Sequence, residues 1–176
     1  IVNTFRAEGD EAILIKPRQD FREGFNKAGD DILVQIIELQ VLPAIREALE
    51  KAGVGDPKSL LSRLFGADWI NQPGRNRTLR RQFASQFAVP IALDLMHFYE
   101  EVDLKRQNPV YARRLNEIFA DAGAAAPSSQ VIEFVENAAR EAGAREFKLL
   151  DVEIRTTAEA VDNIIRRDIG QMLGQL

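Results

Sequence analysis

Four arginines crowd the run Arg75–Asn76–Arg77–Thr78–Leu79–Arg80–Arg81–Gln82. A guanidinium is planar, permanently charged and forked, so it suits a phosphate, a carboxylate or the face of a ring. At helical spacing, Arg77, Arg81 and Ser85 share one face, and Arg80 lies beside Ala84 on the next. The run falls at a predicted helix N-terminus, where the dipole disfavours each exposed cation by about 0.3–1 kcal/mol. Either nearby acids such as Asp68 and solvation offset that cost, or an anionic or planar partner does. A second candidate is the junction Ala28–Gly29–Asp30–Asp31. Gly29 allows a positive φ or a close backbone approach, and Asp30 and Asp31 suit the cap and first turn of the helix that follows.

Other chemistry is excluded or weakly supported. With no cysteine, disulfides, thiolate metal sites and cysteine nucleophiles are ruled out. His97 is the only histidine and has no ligand or catalytic partner at a useful spacing, so it reads as a packed or surface residue. Glu100 and Glu101 are adjacent on a helix and cannot face each other as a catalytic pair. No glycine-rich phosphate loop occurs in the chain. The net charge of −4 argues against broad binding to nucleic acid or anionic membrane, although a local basic patch stays compatible with it. Phe83 and Phe87 belong to an apolar stripe rather than to a base-stacking surface.

These candidates need elements to hold them. Val2–Phe5 and Ala12–Ile15 read as strands joined by a turn at Glu8–Gly9–Asp10, and a third extended piece, Gln19–Phe25, leads to Gly29. Leu33, Ile36, Ile37, Val41, Ile45 and Leu49 then form the apolar face of a helix that Pro43 must kink or restart. Gly53 and Gly55 end it. A short helix spans Pro57–Phe65 and closes at Gly66. Gln72–Pro73–Gly74 makes a loop beside Trp69. Next comes the longest helical tract, about Arg75 to Asp103, with Leu79, Phe83, Phe87, Ile91, Leu95 and Phe98 inward. Pro90 makes that tract one bent helix or two at an angle. Asn108–Pro109 reads as a cap and first position of another helix, ending at Gly123. Ala124–Ala126 links it to a helix that starts at Pro127–Ser128–Ser129 and stops at Gly143. Phe147–Ile154 reads as a strand. Thr156 with Glu159 gives a capping box for a last helix lined by Val161, Ile164, Ile165, Met172 and Leu173. The fold class is α+β: a small antiparallel sheet with a large, mostly helical subdomain.

With these residues in view, the chain resembles the second half of an actin/Hsp70-type ATPase. Ala28–Gly29–Asp30–Asp31–Ile32 is similar to the glycine–aspartate junction after the second strand set in that superfamily. Arg77–Thr78–Leu79–Arg80–Arg81–Gln82–Phe83–Ala84–Ser85 is similar to its adenosine-packing helix, without that helix's glutamate. The wording FREGFNKAGDDIL, RRQF and VPIALDLM is most similar to the SrfB-type virulence factors of bacteria. The resemblance implies an ATP-binding parent protein that also uses Mg²⁺. This chain would be its lid subdomain plus part of the second core subdomain, not catalytic in isolation. Residues 1–53 would then supply the sheet and first helix, 54–143 the inserted lid, and 144–176 the returning strand and helix. Candidate nucleotide-binding residues are Gly29, Asp30, Arg77, Arg80, Arg81 and Ser85.

The partners implied are the nucleotide, held through phosphate loops outside this chain, and the remainder of the parent chain, in the cytoplasm. The chain opens on Ile1 without methionine and closes within a helical pattern, so a fragment is expected. No apolar run reaches the ~18 residues of a spanning helix. Two other functions fit the same residues. One is a helical protein–protein interaction module, an effector or adaptor whose arginines dock an acidic partner. The other, weaker, is RNA or DNA binding through Arg75–Arg81, which would show a salt-dependent affinity.

Overall fold

The computed structural model describes residues 2–8, 14–21, 29–66, 74–105, 107–121 and 126–173. Two helical tracts dominate it, and each carries apolar residues strictly four apart: Leu33, Ile37, Val41, Ile45 and Leu49, then Leu79, Phe83, Phe87, Ile91 and Leu95. On a regular α-helix, four residues turn the chain by about 400°, so such a stripe drifts by about 40° per step and leaves the core. Both tracts correct the drift in the same way. A π-helical turn, Ile37–Val41, separates α1 (Gly29–Ile36) from α2 (Leu42–Lys51). A second, Ala84–Ala88, separates α4 (Gly74–Phe83) from α5 (Val89–Glu100). Each turn closes with an i→i+5 bond, from Leu42 N–H to the Ile37 carbonyl and from Val89 N–H to the Ala84 carbonyl.

A proline stands directly after each closing residue, Pro43 and Pro90. In an α-register its ring would strike the carbonyl four residues back, and the wider turn relieves that clash. The expected kink or restart at Pro43 is therefore a π-turn. The tract through Pro90 likewise runs on through a π-turn, without a break.

α2 and α7 (Ser129–Glu141) end alike. Gly53 and Gly143 take φ of +96° and +106°. Their N–H groups bond back to the carbonyls of Glu50 (3.0 Å) and Arg140 (3.1 Å), while Val54 and Ala144 bond to Leu49 (3.0 Å) and Ala139 (2.9 Å). These are paired glycine C-caps, each burying its following apolar residue. α3 (Pro57–Phe65) starts on Asp56, whose carboxylate accepts the Ser59 N–H at 2.9 Å.

The described strands form two antiparallel pairs, and the α+β expectation holds. β1 (Val2–Glu8) pairs with β2 (Leu14–Phe21), longer than expected; Gln19–Phe21 of the anticipated third piece closes β2, and residues 22–25 lie outside the described set. β3 (Val110–Arg114) pairs with β4 (Glu153–Thr157), Tyr111 lying opposite Thr156.

β3 corrects the sequence reading. Asn108–Pro109 does not start a helix; the helix, α6, begins only at Leu115 and runs to Asp121. Instead Asn108 caps α8 (Ala158–Leu173), accepting the Glu159 N–H at 3.0 Å and donating to the Glu159 carboxylate at 2.9 Å. The expected strand over Phe147–Ile154 is also displaced. Leu149–Asp151 forms a 3₁₀ turn, pinned where Glu136 accepts the Leu149 N–H at 3.0 Å, and β4 follows it. The threonine that caps α8 is Thr157, which accepts the Ala160 N–H at 3.2 Å, because Thr156 is buried within β4.

One core joins the helices with β3 and β4, with Ile36, Val41, Ile45, Phe87, Ile91, Leu95, Leu115, Ile118, Val131, Leu149 and Ile154 all fully buried in it. Polar links brace its edges. The Tyr99 hydroxyl of α5 donates to Asp162 of α8 at 2.8 Å, and Arg166 donates to the same carboxylate. Burial pushes the Asp162 carboxyl up, but the bonds from Arg166 and Tyr99 outweigh it and hold the group below the usual carboxylate range. Gln35 of α1 donates to buried Asp168 and accepts from Arg167, tying α1 to α8.

Tyr111 is buried in β3 and donates to Asp94 of α5. Burial, then that bond and the Asp94 charge, push its hydroxyl above the ordinary tyrosine range. Above about pH 10 the unfolded chain releases a proton that the folded chain keeps, so stability is intact below that pH and falls as pH rises beyond it. Urea midpoints measured from pH 8 to 11 should therefore drop above pH 10 and fall less in Tyr111→Phe. An equal fall in both proteins would contradict the assignment. Tyr99 shifts in the same direction, so some slope should persist in the variant.

Candidate functional site

The arginines of α4 lie against the end of α3. Phe65, Gly66, Arg77, Arg80, Arg81 and Ala84 line one open cavity of about 270 Å³. This lies just below the size range for small-molecule sites, about 300–1,000 Å³. Of the lining residues, Arg77 and Arg81 share the four-residue spacing read from the sequence, and Arg80 joins them from the neighbouring face.

Their roles differ. Arg80 is half-buried, and its terminal nitrogens reach the Arg63 carbonyl and, at 3.5 Å, the Gly66 carbonyl. A cation there meets the negative end of the α3 dipole and satisfies carbonyls of its last turn. Its Nε is shielded from solvent without a hydrogen-bond partner among the described residues. Arg80 is therefore committed largely to the protein. Arg81 is exposed, and among the described residues its guanidinium makes no hydrogen bond or ion pair. Arg77 is exposed on the same wall, one helical turn away.

Gly66 matters for space. A Cβ at that position would overlap the Ser62 carbonyl oxygen, to which the Gly66 N–H donates at 2.7 Å. Only glycine lets the chain leave α3 this tightly and keep its backbone against the cavity.

The other sequence candidates lie elsewhere. Ser85 turns back on its own helix, donating to the Arg81 carbonyl at 3.0 Å, and is not in the cavity wall. Gly29 and Asp30 open α1, which packs on α5 and α8, whereas α4 packs on α7. Asp68 and Trp69 lie outside the described residues, as does the side chain of Arg75. His97 is exposed, 3.5 Å from Glu100, as a surface residue should be.

Phe65 is the site residue that sequence reasoning missed. It sits at the end of a short amphipathic helix and reads there as ordinary core. The available signal was its position directly before Gly66, where a helix ends and a ring can be left half-covered.

Among the described residues no group of three or more acidic or histidine side chains could hold a metal ion. None of their helices is long and apolar enough to cross a membrane. No curated protein and no solved structure matches the chain. The family model described as Virulence factor SrfB matches residues 1–176, and the chain belongs to that family.

Proposed function

We propose that this region of an SrfB-family protein is a nucleotide-binding lid subdomain of an actin/Hsp70-like parent, without catalytic groups of its own. The observation that carries the reading is the convergence of Arg77, Arg80 and Arg81 on a cavity whose floor includes an aromatic ring. Guanidinium groups complement phosphate, and an apolar floor suits a base. ATP is the ligand this combination fits, bound in the cytoplasm with the parent's phosphate loops completing the site. Among the described residues the cavity wall carries no carboxylate, and no step is assigned to Mg²⁺. Closure of such a lid over the nucleotide would be a hinge motion of the parent.

Calorimetric titration of ATP into the chain at low salt tests this. Replacing Arg81 by glutamine should weaken binding about 10- to 100-fold, the worth of one hydrogen bond to a charged group. Absence of binding at millimolar ATP, both by this chain and by the full-length protein, would remove the proposal. A second reading keeps the exposed pair Arg77 and Arg81 as the docking face of a helical interaction module. An acidic protein partner that ATP fails to displace would favour it.

A further inference from the structure

Four aromatic rings run inward from the cavity. Phe65 stacks on Phe83 with centroids 4.0 Å apart and planes 21° from parallel; Phe83 stacks on Phe87 at 4.7 Å, and Phe87 meets Phe119 at 5.7 Å. Phe83, Phe87 and Phe119 are buried, while Phe65 is half-buried and lines the cavity. The column thus ends in a ring at the cavity, where a further planar group can continue it. Offset stacking of this kind is favourable beyond the area it buries and tolerates any base, since every base has a π-face.

The position of that ring is set by Arg80. Its two terminal nitrogens hold the carbonyls of Arg63 and Gly66, two residues before Phe65 and one after it. The Arg81 guanidinium stands on the same cavity wall without a protein partner among the described residues.

We infer that Phe65 is the stacking platform for the nucleotide base, that Arg81 receives the phosphates, and that Arg80 is a positioning residue for the platform. This rests on the nucleotide reading above and divides it into parts that fail separately. Because stacking and charge are supplied by different side chains, two half-ligands report on them independently. Adenosine engages the platform alone, and inorganic tripolyphosphate engages Arg81 alone.

The test is calorimetric titration of the chain with ATP, adenosine and tripolyphosphate at one low salt concentration. Phe65→Leu should weaken ATP and adenosine about tenfold and leave tripolyphosphate unchanged. Arg81→Gln should weaken ATP and tripolyphosphate and leave adenosine unchanged. Arg80→Lys retains the charge but loses the fork, and should weaken adenosine more than tripolyphosphate. Phe65→Tyr keeps the ring and should bind all three like the parent sequence, which separates stacking from loss of fold. If ATP binds the parent sequence and Phe65→Leu binds all three ligands unchanged, the platform assignment is overturned while the nucleotide reading stands. Equal loss of all three ligands in Phe65→Leu, or tripolyphosphate loss confined to Arg80→Lys, also overturns it. If neither the unsubstituted chain nor the full-length protein binds any of the three, both readings fall.

Discussion

Phe87→Ala is expected to lower the unfolding free energy by about 3–5 kcal/mol, the range for truncating a buried aromatic side chain. Phe87 is fully buried and packs between the rings of Phe83 and Phe119. It also lies on the second π-turn, where α4 and α5 join, so little room exists for neighbours to collapse into the void. Against a typical domain stability of about 5–15 kcal/mol, the loss is large. Urea unfolding followed by circular dichroism should show a much lower midpoint. Phe87→Leu should cost less, since it restores most of the volume. Leu93→Ala, at a position 42% exposed on α5, should change stability by no more than about 0.5 kcal/mol. A Phe87→Ala protein within about 1 kcal/mol of the parent would mean that the core is not packed as described.

Asp94→Ala is the second large effect, expected at about 2–3 kcal/mol, because it strips acceptors from buried or half-buried donors. Asp94 is the hub of a network joining three elements. Its carboxylate accepts the Tyr111 hydroxyl and the Arg113 guanidinium, the latter at 3.1 Å to both oxygens. Arg113 reaches onward to Asp121 at 2.6 Å and to the Glu117 carbonyl at 3.2 Å. The Asp94 side chain is only 16% exposed, so water replaces these bonds poorly when it is removed.

Tyr111→Phe alone should cost about 1 kcal/mol, the net worth of one hydrogen bond. In the double variant the two losses should not add, with a coupling of roughly 0.5–3 kcal/mol between groups in direct contact. Strict additivity would show that the hydroxyl and the carboxylate do not interact.

The legible parts of this fold were those governed by local rules. Pro57 at the start of α3, Gly66 after Phe65, and Gly53 and Gly143 after their helices all sit where helix-end chemistry puts them. The apolar stripes of both long tracts were also legible, because burial needs only periodicity. What the stripes encoded beyond burial was harder to see. A strict four-residue repeat followed by proline does not fit a continuous α-helix, and the π-turns reconcile the two.

Elements that depend on partners distant in sequence were misread. Asn108–Pro109 has the local form of a helix start, yet it is spent on the N-terminus of α8, fifty residues on. Val110–Arg114 is a strand because β4 pairs with it, which no local signal announces. The site divides along the same line. Spacing put Arg77 and Arg81 on one face, whereas Arg80 reaches the same cavity from the next face and Ser85 does not line it. The use of Arg80 as a cap and the exposure of Phe65 depend on how α3 meets α4, and this is a tertiary fact.

A nucleotide is proposed to occupy the cavity between Phe65 and the α4 arginines. Backbone amide chemical shifts of the isotopically labelled chain, followed during an ATP titration, address it directly. The expected result is saturable movement confined to residues around 63–66 and 77–84. Movement centred on Gly29–Asp31 and α8, or no saturable movement at all, would contradict it.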